Sequence, residues 1–439
     1  MDFNNLILIL VFLLFSCFGR LVFKNYVNPI TFMCGIWAVI VGAYSFHAYD
    51  LYTATDKTML LIGLGISMFF VGALVACSLS RRRLRNDNTL VNPASLKPDY
   101  KLLIIMNVLA IICFFGFFIE SIQFLRRGLG FAYIARYFGT EEGTIGASQH
   151  GYDLLEWYVW PLCLATAPLA AMTVLLDKEE SRTKKWFLIT YIITLVMFVV
   201  VTGKRMNMIC LIVYLFIAMR MQNVKIELRR RTKLLLFLSA AAIIFAFNYI
   251  SVSRGTESIF RIIYIYFCGC IPCLSTKLEN LPVGFQYGLI SLHGLYRAPM
   301  ILLTKIFRSS GLLSIRAMFA QVINYTQQRV YIGPGVGYNA FVTPFFYFYS
   351  DFGLFGVCFF SFLFGIFCMR VYLIYLKEKS YRSLAVYLLV TYSLYMSMVR
   401  FQFVQMRYVL AFVYLLIPFH RSFRMRITFR KRDNFHMMG

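Results

Sequence analysis

Apolar stretches long enough to cross a bilayer recur along this chain, separated by short polar segments. Leu102 to Ile119 carries no charged residue at all. A spanning helix needs about 20 mostly apolar residues, because the hydrocarbon core is about 30 Å thick. The pattern predicts about eleven such spans. They are Leu6 to Phe18, Ile30 to Phe46, Met59 to Leu79, Leu102 to Ile119, Leu154 to Leu176 and Trp186 to Val201. Met206 to Ala218, Leu234 to Ile250, Leu354 to Leu376, Leu384 to Met398 and Val404 to Pro418 follow. The expected architecture is an all-α polytopic integral membrane protein, with residues 1–439 as a single transmembrane domain.

Basic clusters orient it. Short cytoplasmic loops collect Lys and Arg, so Arg81, Arg82, Arg83 and Arg85 put the end of the third span inside. Alternation then places Lys178, Arg182, Lys184 and Lys185 inside. Arg229 to Lys233, then Lys377, Lys379 and Arg382, and the tail 420–439, also fall inside. The N-terminus is expected outside and the C-terminus in the cytoplasm. Two long segments, 120–153 and 251–340, then lie outside. The second contains apolar runs, Ile259 to Leu274 and Leu289 to Phe307, broken by Arg261, Gly269, Pro272, His293, Arg297 and Lys305. Interruptions that frequent predict interfacial or re-entrant helices rather than spans.

Composition adds one constraint. With 60% hydrophobic residues, a net charge of +25 marks membrane orientation rather than nucleic-acid binding. The eleven Cys lie mostly inside apolar runs, as small hydrophobes. Cys268, Cys270 and Cys273 lack the fourth ligand a zinc site needs, which leaves apolar packing or a disulfide. Tyr331 to Tyr338 (YIGPGVGY) lacks the Lys-Ser/Thr of a P-loop and reads as a turn. No nucleotide-binding domain, metalloprotease motif or serine-hydrolase motif is present.

The outer face is unusually rich in cations. The segment 251–340 holds Arg254, Arg261, Lys277, Arg297, Lys305, Arg308, Arg316 and Arg329 against Glu257 and Glu279 alone. Arg126, Arg127 and Arg136 lie in the other outer segment, Lys204 and Arg205 in a tight outer turn, and Arg400 and Arg407 at the last span. A charge at membrane depth is costly unless it faces a cavity or a partner. With so few acids, an external anion is the economical partner, and guanidinium grips phosphate oxygens bidentately. Snorkelling to lipid headgroups is the competing reading for each arginine. Asp351, in Asp351-Phe352-Gly353, interrupts an apolar helix. It is either used chemically or caps a helix break at the surface.

These features together resemble the oligosaccharide repeat-unit polymerases of the Wzy type, and more distantly the O-antigen ligases. The layout of spans with one large outer loop carries the resemblance, with Thr202-Gly203-Lys204-Arg205, Ser251 to Thr256 (SVSRGT), and Asn339 followed by Asp351 to Gly356. A paired Arg and Gly eleven residues apart, found in the outer loops of some members, has no copy here. The resemblance implies a GT-C-like glycosyltransferase in the bacterial plasma membrane. It would join polyprenyl-pyrophosphate-linked oligosaccharide units without a cofactor or a metal. It also implies a chain-length regulator and a lipid-linked-sugar flippase as partners, and no nucleic acid. Arg205, Asp351 and His293 would be catalytic. Lys204, Arg254, Arg261, Arg297, Tyr338, Asn339, Arg400 and Arg407 would bind substrate, and Tyr152, Trp157 and Tyr338 could stack on sugar rings. A flippase or transporter of the same lipid-linked sugar is the alternative class. It would place charge deeper in the spans and show repeat symmetry.

Overall fold

The computed structural model of the chain describes residues 3–80, 96–130, 133–134, 154–177, 181–202, 206–222, 259–281, 284–307, 310–338 and 342–420. Seven helices come first: α1 (Phe3–Phe23), α2 (Pro29–Tyr44), α3 (Asp56–Leu79), α4 (Tyr100–Arg126), α5 (Leu155–Leu176), α6 (Arg182–Thr202) and α7 (Met206–Met221). Four shorter helices follow: α8 (Ile259–Cys268), α9 (Cys270–Glu279), α10 (His293–Phe307) and α11 (Ser310–Gln327). A small antiparallel hairpin, β1 (Val330–Gly333) and β2 (Val336–Tyr338), leads to α12 (Thr343–Glu378), α13 (Tyr381–Tyr395) and α14 (Met406–Leu416).

Among the described residues six helices, α1, α3, α4, α5, α6 and α12, are long and apolar enough to cross a membrane. Three more, α2, α7 and α14, are apolar but shorter. The protein is therefore a mainly helical, membrane-embedded chain. The expected span Leu234 to Ile250 lies outside the described residues. The two apolar runs of the large loop form the separate helices α8, α9 and α10, and neither these nor α11 is among the six. Gly269 stands between the two helices of the first run, where a side chain would meet the carbonyl of Ile265, the Ile332 side chain and the Tyr338 ring. The YIGPGVGY turn is the β1–β2 hairpin, with Val330 opposite Tyr338.

The helix ends sort into two groups. At one end, Lys97 pairs with Asp177 at 3.0 Å, and the Tyr100 hydroxyl donates to the same carboxylate at 2.9 Å. Burial pushes that carboxyl up. Hydrogen bonds from Lys97 and Tyr100, with the charges of Lys97 and Lys184, hold it below the usual carboxylate range. The Gln222 amide donates to the Tyr375 hydroxyl, and the Asp99 amide to the Pro418 carbonyl, at the same end. Helix termini with Arg20, Lys101, Arg182, Arg220, Lys377 and Arg382 gather here, as the alternation of basic clusters predicts. The opposite end carries the C-termini of α2 and α13, the N-termini of α3, α5, α7, α12 and α14, and the segment 259–338. Tyr264 accepts from the Ala48 amide and donates to the Ala43 carbonyl, and Ser275 accepts from the Thr55 amide.

The two halves of the chain meet along α3 and α12. A side-chain carbon at Gly72 would sit 2.0 Å from the carbonyl oxygen of Phe362, and one at Gly365 would sit 2.1 Å from that of Phe69. Lipid offers apolar groups the same environment as a neighbouring helix, so close backbone approach over small residues supplies the attraction. Phe69 and Phe364 fill the flanks of this seam. The sequence placed the start of this span at Leu354, after Asp351. The helix instead begins at Thr343 and continues beyond a break at Phe352 (φ −142°) and Gly353 (φ 60°, ψ −141°). Gly353 adopts backbone angles open only to glycine.

Gly72→Val should lower stability by about 1–3 kcal/mol, the usual cost of overpacking a tight contact. Thermal unfolding of the purified protein in detergent reads this. Gly116→Ala in α4, where nothing lies within 4 Å of the added carbon, is the control and should melt like the parent. Equal melting of both variants would contradict the close α3–α12 seam.

Candidate functional site

The break in α12 leaves peptide groups without helical partners, and the loop before α10 supplies them. The amides of Gln286 and Tyr287 donate to the carbonyls of Ser350 and Asp351, each at 3.0 Å. The Asp351 carboxylate returns the exchange: Oδ1 accepts the Ile290 amide at 3.0 Å and Oδ2 the Ser291 amide at 2.7 Å. Asp351 is fully buried. It caps a neighbouring loop rather than a free helix end at the surface. Tyr287 (φ 51°) and Gly288 (φ 89°) turn the loop so that both amides reach it. The Tyr287 ring meets the edge of Phe352, and Phe285 lies over Gly353.

His293 opens α10 immediately after this clamp. It is 2% exposed, its Nδ1 lies 3.2 Å from the Val404 carbonyl, and its ring stacks flat on Phe319. Burial, then the nearby Arg297 charge, pushes the imidazole down to about 3, against the pull of the Val404 carbonyl. Its Nδ1 therefore carries the proton toward Val404 in the neutral ring. Gly294 seats on the backbone of the next segment: an added carbon would stand 2.1 Å from the Phe403 carbonyl. So α10 docks on residues 401–405, the short link between α13 and α14.

That link is flanked by Arg400 and Arg407. Arg407 donates Nη1 to Glu156 and lies over the Trp160 ring, 3.4 Å from its centroid. Glu156 is 3% exposed and sits in the single π-helical turn, Leu155–Val159, that opens α5. Arg407 was expected to want an external anion; it has an internal carboxylate instead. Arg400 is half-buried, and among the described residues no carboxylate lies within ion-pair distance of it. Its charge reaches the buried hydroxyls of Tyr347 and Tyr392. Gln402 follows two residues on, and the Thr343 amide donates to the Val399 carbonyl; Gln402 Nε2 and Thr343 Oγ1 are buried without a hydrogen-bond partner among the described residues. Buried polar groups are nearly always satisfied, so two such groups next to a guanidinium with no carboxylate partner among the described residues make this a candidate place for a polar ligand.

The other expected residues divide. Tyr338 is 7% exposed and donates its hydroxyl to the Tyr266 carbonyl, which makes it a packing residue of the hairpin. Arg261 lies half-buried on α8 and Arg297 half-buried on α10. Lys277 is fully buried; it donates to the carbonyls of Tyr325 and Gln328 and pins α11 to α9. Burial pushes its ammonium down. Cys268, Cys270 and Cys273 are free and buried, and no cluster able to hold a metal exists among the described residues. Tyr152, Lys204, Arg205, Arg254 and Asn339 lie outside the described residues. Sequence reasoning missed Glu156, although an acid inside the apolar run Leu154 to Leu176 was the available signal. Comparison with protein-family models, curated proteins and solved structures finds no match.

Removing one partner of a buried ion pair costs about 3–5 kcal/mol, because the other charge is left uncompensated. Arg407→Met should therefore destabilise strongly, and Arg407→Met with Glu156→Gln should recover most of the loss. Melting temperatures of the two variants in detergent test this. Equal destabilisation by the single and the double variant would show that Glu156 is not the partner.

Proposed function

We propose that this protein polymerises polyprenyl-pyrophosphate-linked oligosaccharide units on the outer face of the bacterial plasma membrane. Its fold would then be GT-C-like with about eleven spans, N-terminus out and C-terminus in the cytoplasm. The observation that carries the reading is Arg400, a half-buried guanidinium with no carboxylate in ion-pair range among the described residues, next to the unsatisfied buried Gln402 amide and Thr343 hydroxyl. It lies at the end of the bundle opposite the basic clusters. In this reading the acceptor hydroxyl attacks the donor's anomeric carbon, and its proton passes to the departing pyrophosphate. The bond from that carbon to pyrophosphate breaks, and its electron pair leaves with the pyrophosphate. Fixed cations aimed at that growing charge lower the barrier. Arg400 and Arg297 would supply them, with Arg205, Lys204, Arg254 and Arg261, and Asn339 would bind the same substrate. Asp351 and His293 both spend their acceptor or donor atoms on backbone groups. They would hold the loop and the α10 docking that set the site, and act as positioning residues.

Removing one such cation typically costs about 10²–10³ in rate. Arg400→Ala and Arg205→Ala should leave the protein abundant in the membrane yet remove long glycans from the cell surface. Arg400→Lys should restore part of the chain length, since Lys lacks the bidentate fork. Glycan banding on gels from cells carrying each variant reads the result. Normal chain lengths in both alanine variants would overturn the reading. Accumulation of single units on the inner leaflet would point to a flippase.

A further inference from the structure

A cavity of about 300 Å³ lies between the N-terminus of α1, the C-terminus of α2 and the N-terminus of α3. It is on the same end of the bundle as Arg400 but is made from different helices. Asn4, Asn5, Tyr44, His47, Thr53, Ala54, Asp56 and Met59 line it. Six of these eight offer hydrogen-bonding side chains, and none is Lys or Arg. Asn5 is 4% exposed, and its carboxamide belongs to the cavity wall. A carboxamide on a cavity wall offers both a donor and an acceptor to a ligand. One wall is strained: His47 (φ 46°), Tyr49 (φ 62°) and Asp50 (φ 54°) all take the left-handed conformation. Four hydrogen bonds hold that strain. The Ala48 amide donates to the Tyr264 hydroxyl, the Tyr52 amide to the Ile332 carbonyl, the Ala54 amide to the Tyr44 hydroxyl and the Thr55 amide to Ser275. Strain fixed in this way accompanies ligand clamps.

The lining selects the ligand. Its polarity excludes an acyl chain. The Asp56 carboxylate, with no Lys or Arg among the lining residues, repels phosphate and other anions. Two carboxamides, a carboxylate, an imidazole and a Thr hydroxyl suit a compact ring bearing several hydroxyls. The volume is at the small end of ligand pockets and matches one such ring. We propose that this cavity binds a single uncharged pyranose, separate from the arginine site. On the polymerase reading, that pyranose is a sugar of the glycan, held away from the reacting pyrophosphate; only this last step rests on that reading.

Saturation-transfer NMR on the full-length protein in detergent tests the binding without any need for polymerisation. The probes are free glucose and N-acetylglucosamine. At least one should receive saturation from the parent protein. Asn5→Leu and the isosteric Asp56→Asn should each weaken that binding about tenfold, the loss expected for one hydrogen bond to a buried or charged group. If Asn5→Leu fails to fold, Asp56→Asn carries the test, since Asp56 is exposed in the first turn of α3. Inorganic pyrophosphate should not displace the sugar. Absence of transfer from both pyranoses, unchanged transfer in the variants, or displacement by pyrophosphate would each overturn the proposal. Failure of polymerisation with intact sugar binding would instead count against the polymerase reading alone.

Discussion

A membrane-embedded helix cannot stop in mid-course without some other group taking its free amides and carbonyls. The break in α12 at Phe352 and Gly353 is that stop, and much of the opposite end of the molecule follows from closing it. The loop 286–291 gives two amides to the carbonyls of Ser350 and Asp351, and takes two acceptor atoms back from the Asp351 carboxylate. This exchange fixes where α10 begins. The start of α10 in turn fixes His293 against Val404 and Gly294 against Phe403. The link that carries Arg400 and Arg407 is thereby held against α10. A carboxylate fully enclosed by its own chain thus does for this loop what water does for loops of soluble proteins.

Charge is distributed with the same economy. The basic groups at one end of the bundle meet solvent or Asp177. At the other end, buried cations are answered one by one. Arg407 has Glu156 and the face of Trp160; Lys277 has two carbonyls and the face of Tyr325. Against that background Arg400 stands out, because among the described residues no carboxylate answers it and the unsatisfied Gln402 amide lies two residues on. Burying an unanswered guanidinium costs several kcal/mol, and a bound anion is the group that would offset it.

Much of the fold was legible in the chain because bilayer thickness imposes a single length scale. Leu102 to Ile119 and Met59 to Leu79 fall within α4 and α3. Arg20, Lys101, Arg182, Arg220, Lys377 and Arg382 lie at one end of the bundle; the cluster Arg81 to Arg85 lies outside the described residues. What periodicity could not reveal was the direction of individual side chains. Tyr338 looked like a sugar platform and packs under the hairpin. Asp351 looked like a base or a cap and clamps a loop some 60 residues earlier in the chain. Glu156 was overlooked because a lone acid at the edge of an apolar run reads as surface, whereas the π-helical turn at Leu155–Val159 rotates it toward Arg407. Such pairings join positions from 60 to 251 residues apart, and nothing local in the sequence encodes them. Arg205, the strongest sequence candidate, lies outside the described residues, and its place in the account rests on the motif Thr202 to Arg205.

The central claim is that positioned guanidinium groups, acting on an already activated pyrophosphate donor, suffice for glycosyl transfer. The most direct measurement is product length after incubating the purified protein with polyprenyl-pyrophosphate-linked repeat units in excess EDTA. The account predicts a ladder of extended glycans under these conditions, with pyrophosphate-linked lipid released in step with each bond formed. Loss of all product in EDTA, restored by Mg²⁺ or Mn²⁺, would contradict it and require metal ligands that the arginine site does not provide.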